Sequence, residues 1–181
     1  METSYFKKYS KLYDLAEQQF VNCDTYDSGC NGGWMSNAYT YAKGQGIAME
    51  TTNAYKAVKS TCATPTGTLV KVSSYTQLAA KDVTSMMNAI DAGYSLAIAL
   101  KAGTTTFMSY TGGILTNAND CTTTAVDHAV VVVGYGVANN IPYWIVRNSW
   151  GTSWGEQGYV RIQRGINYCN METYPFFPII V

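Results

Sequence analysis

Two apolar runs decide the fold of this chain: Asp127-His128-Ala129-Val130-Val131-Val132-Val133-Gly134-Tyr135-Gly136 and Tyr143-Trp144-Ile145-Val146-Arg147-Asn148-Ser149-Trp150-Gly151. The turn-forming residues Ala138-Asn139-Asn140 lie between the runs, which predicts a pair of antiparallel strands. His128 begins the first run and Asn148 ends the second. Because the outer ends of paired antiparallel strands meet at one edge of the sheet, we expect the imidazole to lie beside the carboxamide.

An imidazole beside a carboxamide provides two of the three groups of a Cys-His-Asn hydrolase site. In such a site the amide oxygen orients the histidine, and the histidine activates a thiol. A thiol with its ordinary pKa of about 8.5 is mostly protonated at neutral pH, and a neighbouring imidazolium lowers that pKa. A neutral amide orients the imidazolium without taking its proton. The pattern therefore predicts a general base and the group that positions it.

Composition excludes several classes of function. The length of 181 residues suits one domain or two small ones. The chain has 12 basic and 12 acidic residues, so its charge gives no indication of nucleic-acid binding or of an acidic membrane surface as partner. It contains no run of about 18 apolar residues, and we expect no membrane span. Its first residues lack an apolar core, and we expect no signal peptide within it.

The cysteines argue against a metal site and for disulfides. There is one histidine and no Cys-x-x-Cys, so a zinc site of the Cys/His type is not expected. Wide, irregular cysteine spacing in a chain rich in Thr, Ser, Tyr and Gly is typical of secreted disulfides. The number of cysteines is odd, so one thiol is free or has its partner outside the chain. The five are Cys23, Cys30, Cys62, Cys121 and Cys169.

Helical periodicity dominates the first third of the chain. We expect one helix within residues 1–20, a second that begins with Asp14 as its N-cap, and a third that begins near Trp34 and ends at Gly44 or Gly46. The supporting residues have helical spacing or form a capping box: Tyr5, Tyr9, Leu12, Tyr13; Asp14, Glu17; Trp34, Ala38, Tyr41.

Strands are expected to predominate after a turn-rich connector at residues 59–68. This connector is the expected boundary between a helical domain, 1–68, and a strand-rich domain, 69–181. The further elements predicted in the second domain are a helix at 83–90, strands at 96–100, 114–115 and 158–162, and an extended tail at 174–178 that returns toward the first domain.

Three motifs in this chain, in this order, resemble those of papain-like (cathepsin-type) cysteine proteases. They are Glu17-Gln18-Gln19 with Cys23-Asp24 and Gly29-Cys30-Asn31-Gly32-Gly33; 127–136; and 148–159. The resemblance extends from about Tyr5 to the C-terminus. It implies an α+β, two-domain papain-like fold with an incomplete helical domain and an antiparallel β-barrel-like domain. It also implies hydrolysis of peptide bonds through a Cys-His-Asn site, without metal or cofactor.

The resemblance assigns a role to each matching residue. His128 would be the general base and acid, Asn148 would orient it, and Trp150 would cover the contact between them. Trp154 would be a second indole on the primed side of the cleft. The substrate-binding residues that it implies include a backbone strip and an apolar pocket of medium size, narrowed by Tyr174: Gly32, Gly33, Trp34, Met35, Ala99, Val126, Asp127 and Tyr174.

The cysteines and glutamines fit this resemblance with one important departure. It implies the disulfides Cys23–Cys62 and Cys121–Cys169, and it leaves Cys30 unpaired, with its partner outside the chain. The family's nucleophile motif, of Cys-Gly-Ser-Cys-Trp type, does not occur, and neither does its oxyanion-hole glutamine. The pair Gln18-Gln19 matches a helix start instead. We therefore expect the nucleophile segment to precede Met1, which would place Met1 inside the family's central helix.

The implied partners are a polypeptide substrate in extended conformation and proteinaceous protease inhibitors, in a lysosomal, vacuolar or secreted setting. An alternative is a catalytically inert protease-fold protein or fragment that binds peptides or a partner. A transglutaminase-like Cys-His hydrolase would need a nucleophile within the chain, and Cys30 in its glycine-rich loop has no base in its sequence context. With an incomplete helical domain, the isolated chain should expose apolar surface and aggregate.

Overall fold

The computed structural model describes residues 1–121, 123 and 125–181, which fall into two units. The first unit comprises Met1–Thr76 and Phe177–Val181, and the second comprises Gln77–Phe176. The domain boundary expected at residue 68 stays a prediction. No helix in the described ranges is long and apolar enough to cross a membrane.

The first unit contains three helices and most of two strands. The core comprises Leu15, Tyr41, Ala42, Ile47, Val70, Val72 and Ile180. The amide of Val181 donates to the carbonyl of Lys71 at 3.0 Å, and the Ser73 hydroxyl donates to the carbonyl of Ile179 at 3.0 Å. The elements are α1 (Glu2–Tyr9), α2 (Glu17–Cys23), α3 (Met35–Gln45), β1 (Val72–Gln77) and β7 (Phe176–Ile180).

The ends of these helices test the predictions from sequence. Helix α3 ends at Gly46, as expected, because Gly46 adopts φ 74°, a left-handed conformation that favours glycine. The prediction that Asp14 caps α2 is wrong, since the N-cap is Ala16 and no side chain caps that helix. The backbone carbonyl of Asp14 instead accepts a hydrogen bond from the amide of Glu50 at 2.8 Å. Residues 14–16 are extended and bridge to 48–50, which outweighs the local capping signal.

The second unit contains five strands, which pair in the order β2-β4-β5-β6-β3. All neighbouring strands are antiparallel except β3 and β6, which are parallel. Asp82 caps the main helix of the unit by accepting the amide of Ser85 at 3.0 Å. The elements are α4 (Val83–Asp91), β2 (Leu96–Leu100), α5 (Thr105–Met108), β3 (Ile114–Leu115), β4 (His128–Ala138), β5 (Ile141–Arg147) and β6 (Tyr159–Gln163).

The hairpin β4–β5 is confirmed. Asn139 and Asn140 adopt φ 50° and φ 62°, the left-handed pair that a tight two-residue hairpin turn requires. Ala138 pairs with Ile141, and the register continues to Val131 opposite Arg147, with a bulge between Val132 and Gly134. The register therefore places the start of β4 and the end of β5 at the same edge.

The core of the second unit surrounds Trp144 of β5, which is fully buried. Its indole N–H donates to the carboxylate of Glu172 at 2.8 Å. Glu172 is itself buried, and it also accepts the amides of Gly165 and Asn167 at 2.7 Å and 2.9 Å. A buried carboxylate is tolerated here because three N–H donors satisfy it. This contact fixes the segment after β6 against the sheet.

Candidate active site

The hairpin brings His128 and Asn148 into contact. His128 is the first residue of β4, and Asn148 directly follows β5. His128 Nε2 lies 2.8 Å from Asn148 Oδ1. Asn148 is only 8% exposed, and its backbone N–H donates to the carbonyl of Gly158 at 2.9 Å. Backbone pairing and burial therefore fix the residue that carries the carboxamide.

A neighbouring amide determines which nitrogen of His128 carries the proton. The amide of Ser149 donates to Asn148 Oδ1 at 2.8 Å. A backbone N–H can only donate, so the atom that receives it must be the carboxamide oxygen. His128 Nε2 faces the same oxygen, and it must therefore be the protonated nitrogen. In the neutral ring Nδ1 then holds the lone pair, and it can accept a proton from a thiol.

Aromatic side chains cover this contact. The ring of Trp150 lies over His128 with 5.0 Å between centroids and 31° between planes. Trp154 meets Trp150 edge-on at 5.4 Å, and Phe107 of α5 contacts the two indoles at 5.6 Å and 5.1 Å. The indole N–H of Trp154 donates to the carbonyl of Met108 at 3.2 Å. These rings shield one side of the His128–Asn148 hydrogen bond from water.

An ion pair supports the loop that carries the indoles. Glu156 accepts two hydrogen bonds from the Arg161 guanidinium, at 2.6 Å and 2.9 Å, and one from the amide of Gly113 at 3.0 Å. The bonds from Arg161 hold the pKa of Glu156 below its ordinary value. Tyr110 donates to the carbonyl of Gly113 at 2.6 Å, and its ring contacts Trp154 at 5.6 Å. Neither Phe107 nor Tyr110 carries a sequence signal, because their contacts come from distant segments.

Asp127 is bound by its own unit. Its carboxylate lies 2.6 Å from Lys101 Nζ and accepts the amide of Ala102 at 2.7 Å. Partial burial alone would raise the pKa of Asp127, but these hydrogen bonds outweigh burial and lower it. A hollow of about 230 Å³ adjoins it, lined by Ala102, Gly103, Met108, Asp127, His128 and Trp150. Asp127 thus fixes the loop after β2 at the edge of the hollow beside His128.

The other substrate-binding residues predicted in the second unit differ in how deeply they are buried. Ala99 of β2 is buried and pairs with Ala129, the neighbour of His128. Val126 and Tyr174 are half-buried. Their roles in substrate binding stay predictions.

The glycine-rich loop of the first unit presents free backbone groups. Gly32 adopts φ 104°, and a side chain at Gly33 would collide with that of Asp27. Gly33 is exposed, and its N–H and C=O form no hydrogen bond with another described residue. Trp34 is half-buried, and Met35, the first residue of α3, is buried. The backbone at Gly33 is therefore available for pairing with an extended chain.

The cysteines are joined in the pairs that the resemblance implies, Cys23–Cys62 and Cys121–Cys169. Cys30 is free and exposed, in a single 3-10 turn at Gly29–Asn31. Across the residues that the structure describes, no group of three or more His, Cys, Asp or Glu could bind a metal ion.

Gln18 and Gln19 are buried, and their side-chain amides form hydrogen bonds within the first unit. Gln19 donates to the carbonyl of Gly46 at 2.7 Å and accepts the amide of Ala48 at 2.9 Å. Gln18 accepts the amide of Lys56 at 2.7 Å and donates to the carbonyl of Val58 at 2.9 Å. Both amides therefore hold loops of the first unit together.

Comparison with known proteins identifies the family. The model of papain family cysteine proteases matches residues 1–179. The chain belongs to the papain family of cysteine proteases. It is similar to the viral cathepsin of Mamestra configurata nucleopolyhedrovirus, with 40% identity over 176 residues, 94% of this chain and 50% of the relative. It is also similar to vignain of Phaseolus vulgaris, with 39% identity over 181 residues, 95% of this chain and 49% of that one.

A solved papain-family structure confirms the α+β papain-like fold. The structure of the bromelain protease from Ananas comosus in complex with the E64 inhibitor matches with a TM-score of 0.88 and 32% identity, over 98% of this chain and 83% of that one. The chain spans about half the length of the cathepsin and vignain relatives, 50% and 49%. The activity of the whole protein is therefore a matter of proposal.

Proposed function

We propose that this protein acts as a cysteine endopeptidase in which His128 is the general base and acid and Asn148 orients it. The observation that carries the proposal is the 2.8 Å contact between His128 Nε2 and Asn148 Oδ1, together with the Ser149 amide that fixes the orientation of the carboxamide. This arrangement leaves Nδ1 as the basic nitrogen, with Asn148 holding the ring in place.

The chemistry assigned to the chain's own residues is a pair of proton transfers. His128 Nδ1 takes the proton of a thiol, and the resulting imidazolium keeps its Nε2–H on Asn148. The thiolate adds to the peptide carbonyl, and Nδ1–H then gives its proton to the leaving amine as the C–N bond breaks. Water enters and hydrolyses the thioester, with Nδ1 again as the base. Trp150 keeps water away from the His128–Asn148 hydrogen bond throughout.

We assign the catalytic thiol and the oxyanion-hole glutamine to a segment on the N-terminal side of these 181 residues. Four of the five cysteines form disulfides, and Cys30 lies in a short exposed turn. The amides of Gln18 and Gln19 are used in internal hydrogen bonds. These observations support a site of which this chain provides His128 and Asn148.

We propose a polypeptide in extended conformation as the substrate. Its backbone would pair with Gly33, whose N–H and C=O are unused by other described residues. The side chain of the substrate would enter an apolar pocket of medium size to which Trp34 and Met35 of the first unit contribute. Proteinaceous inhibitors of cysteine proteases would use the same surface. The two disulfides favour a lysosomal, vacuolar or secreted setting.

The first experiment is the intact mass and N-terminal sequence of the protein from its natural source, followed by labelling with E64, the inhibitor present in the bromelain structure. A longer product that E64 labels at an upstream cysteine, and that loses peptidase activity on His128→Ala, would support the proposal. A natural protein that begins at Met1, takes no label and cleaves no peptide would refute it. The inert peptide-binding alternative would then be the better account.

A further inference from the structure

A buried carboxylate oxygen without a partner lies at the end of α2. Asp24 directly follows that helix and is only 2% exposed. Its Oδ1 accepts the amide of Tyr26 at 2.9 Å. Its Oδ2 has no hydrogen-bond partner in the part of the chain that the structure describes. Burying a charged oxygen without a donor is unfavourable, and a proton on this carboxyl group removes that cost.

The group that faces Asp24 is a second carboxylate. The side chain of Asp27 contacts that of Asp24, and both line a cavity of about 170 Å³ together with Gly29, Gly32 and Gly33. Two ionised carboxylates in contact repel each other, whereas one shared proton turns the contact into a hydrogen bond. The other ionisable groups at this loop are the exposed phenol of Tyr26, Lys59, whose side chain lies over Gly29, and the exposed thiol of Cys30. Among the described residues, Lys59 forms no ion pair with either carboxylate.

Asp27 in turn holds the glycine-rich loop. Its Oδ1 accepts the amide of Trp34 at 2.9 Å and the side-chain amide of Asn37 at 2.9 Å. The absence of a side chain at Gly33 leaves room for the Asp27 carboxylate. Residues 32–34, hereafter the 32–34 strip, therefore take their position from the orientation of Asp27.

We propose that Asp24 is a positioning residue for the 32–34 strip: its protonated carboxyl donates a hydrogen bond to Asp27 and fixes the carboxylate that holds Trp34 and Asn37. The importance of the strip for peptide binding rests on the proposed function, whereas the hydrogen bond between the carboxyls does not. Burial and the neighbouring Asp27 raise the pKa of Asp24 above its ordinary value. The hydrogen bond is therefore fully present in acid and is lost as the pH rises through that raised pKa.

The test follows the two carboxyls and the strip by NMR in the longest natural form of the protein. The carboxyl ¹³C signals of Asp24 and Asp27 and the amide signal of Trp34 are recorded from pH 3 to 8. We expect the Trp34 amide to shift with the same midpoint as the higher of the two carboxyl titrations. In Asp24→Asn the carboxamide donates permanently to Asp27, so the Trp34 amide should keep its acid position throughout. Asp24→Ala should give the position seen at high pH throughout.

Asp14→Asn is the matched control, because it removes the same charge from an exposed position in the same unit. It should leave the shift of the Trp34 amide unchanged. The proposal is overturned if the Trp34 amide moves independently of the carboxyls, or still titrates in Asp24→Asn. It is also overturned if Ca²⁺ at neutral pH restores the acid position, since a cation would then occupy the cavity. If the variants do not fold, the titration of the unmodified chain decides alone.

Peptide binding is measured separately, as the affinity of an extended peptide at acid and neutral pH. Failure to bind at either pH would refute the proposed function and leave the hydrogen bond between Asp24 and Asp27 standing. Binding of the peptide without a coupled titration of the Trp34 amide would refute the hydrogen bond between Asp24 and Asp27 and leave the proposed function standing.

Discussion

The edge of the hairpin and the 32–34 strip are positioned by different means. His128 and Asn148 are held by strand register and a tight turn, so their separation follows from backbone pairing. The strip lies in a loop and depends on the side chain of Asp27. A site on paired strands resists small perturbations, because many backbone hydrogen bonds act together. A site held by one carboxylate responds to the protonation or replacement of that group.

The largest effect is expected from His128→Ala in the longest natural form of the protein. The loss of the base should lower kcat/KM by about 10²–10⁴-fold or more. The fold should remain, since β4 is fixed by pairing with β2 and β5. Steady-state kinetics and the thermal transition check both expectations. Unchanged turnover would remove His128 from the mechanism.

Asn148→Ala should have the next largest effect. It removes the acceptor of His128 Nε2–H and leaves the amide of Ser149 without its partner. A lost hydrogen bond of this kind costs about 1–3 kcal/mol, or roughly 5- to 150-fold in kcat/KM.

His128 is the only histidine, so its ring ¹⁵N signals report the tautomer without ambiguity. They should show mixed Nδ1–H and Nε2–H forms in Asn148→Ala and mainly Nε2–H in the unmodified chain. An unmodified chain with mainly Nδ1–H would contradict the assignment.

The two glycines of the strip provide a matched comparison. Gly33→Ala should weaken the binding of an extended peptide strongly, because the new methyl group displaces Asp27 from Trp34 and Asn37. In Gly32→Ala the new methyl group has no neighbour within 4 Å, but the backbone φ of 104° is strained for alanine, which should cost about 1–2 kcal/mol in stability. Calorimetric peptide titration and thermal unfolding separate the two effects. Equal loss of binding in both variants would show that Asp27 does not position the strip.

The smallest effect is expected at the Lys101–Asp127 pair beside His128. The hydrogen bonds to Asp127 lower the pKa of its carboxyl group, so the carboxylate stabilises the second unit at pH values above the ordinary carboxyl pKa of about 3.9. This contribution is lost as the pH falls through the lowered pKa. The two side chains are 25% and 37% exposed, so water screens the pair, and Asp127→Asn should cost about 0–1 kcal/mol at neutral pH and less in high salt. Urea unfolding at pH 7 and pH 3 checks this. A cost larger at pH 3 than at pH 7 would have the wrong sign.

The predictions from sequence are confirmed where the interactions are local and fail where residues distant in sequence make the contacts. The β4–β5 hairpin could be predicted, because the period of its apolar residues and its Asn-Asn turn are local signals. The end of α3 at Gly46 is similarly local. The cap at Asp14 was predicted wrongly, because a bridge between residues 15 and 49 holds that segment extended. Phe107 and Tyr110 could not be predicted as supports of Trp154, since nothing in their neighbourhood marks them.

The sequence by itself determined the family, the hairpin and the pairing of His128 with Asn148, because these depend on residue types at short, fixed spacings. Only the tertiary structure decided the tautomer of His128, which a single amide hydrogen bond from Ser149 specifies. It alone also revealed the unpartnered oxygen of Asp24 beside Asp27. The physical reason is that burial and hydrogen-bond satisfaction are properties of packed neighbours, which a linear sequence does not contain.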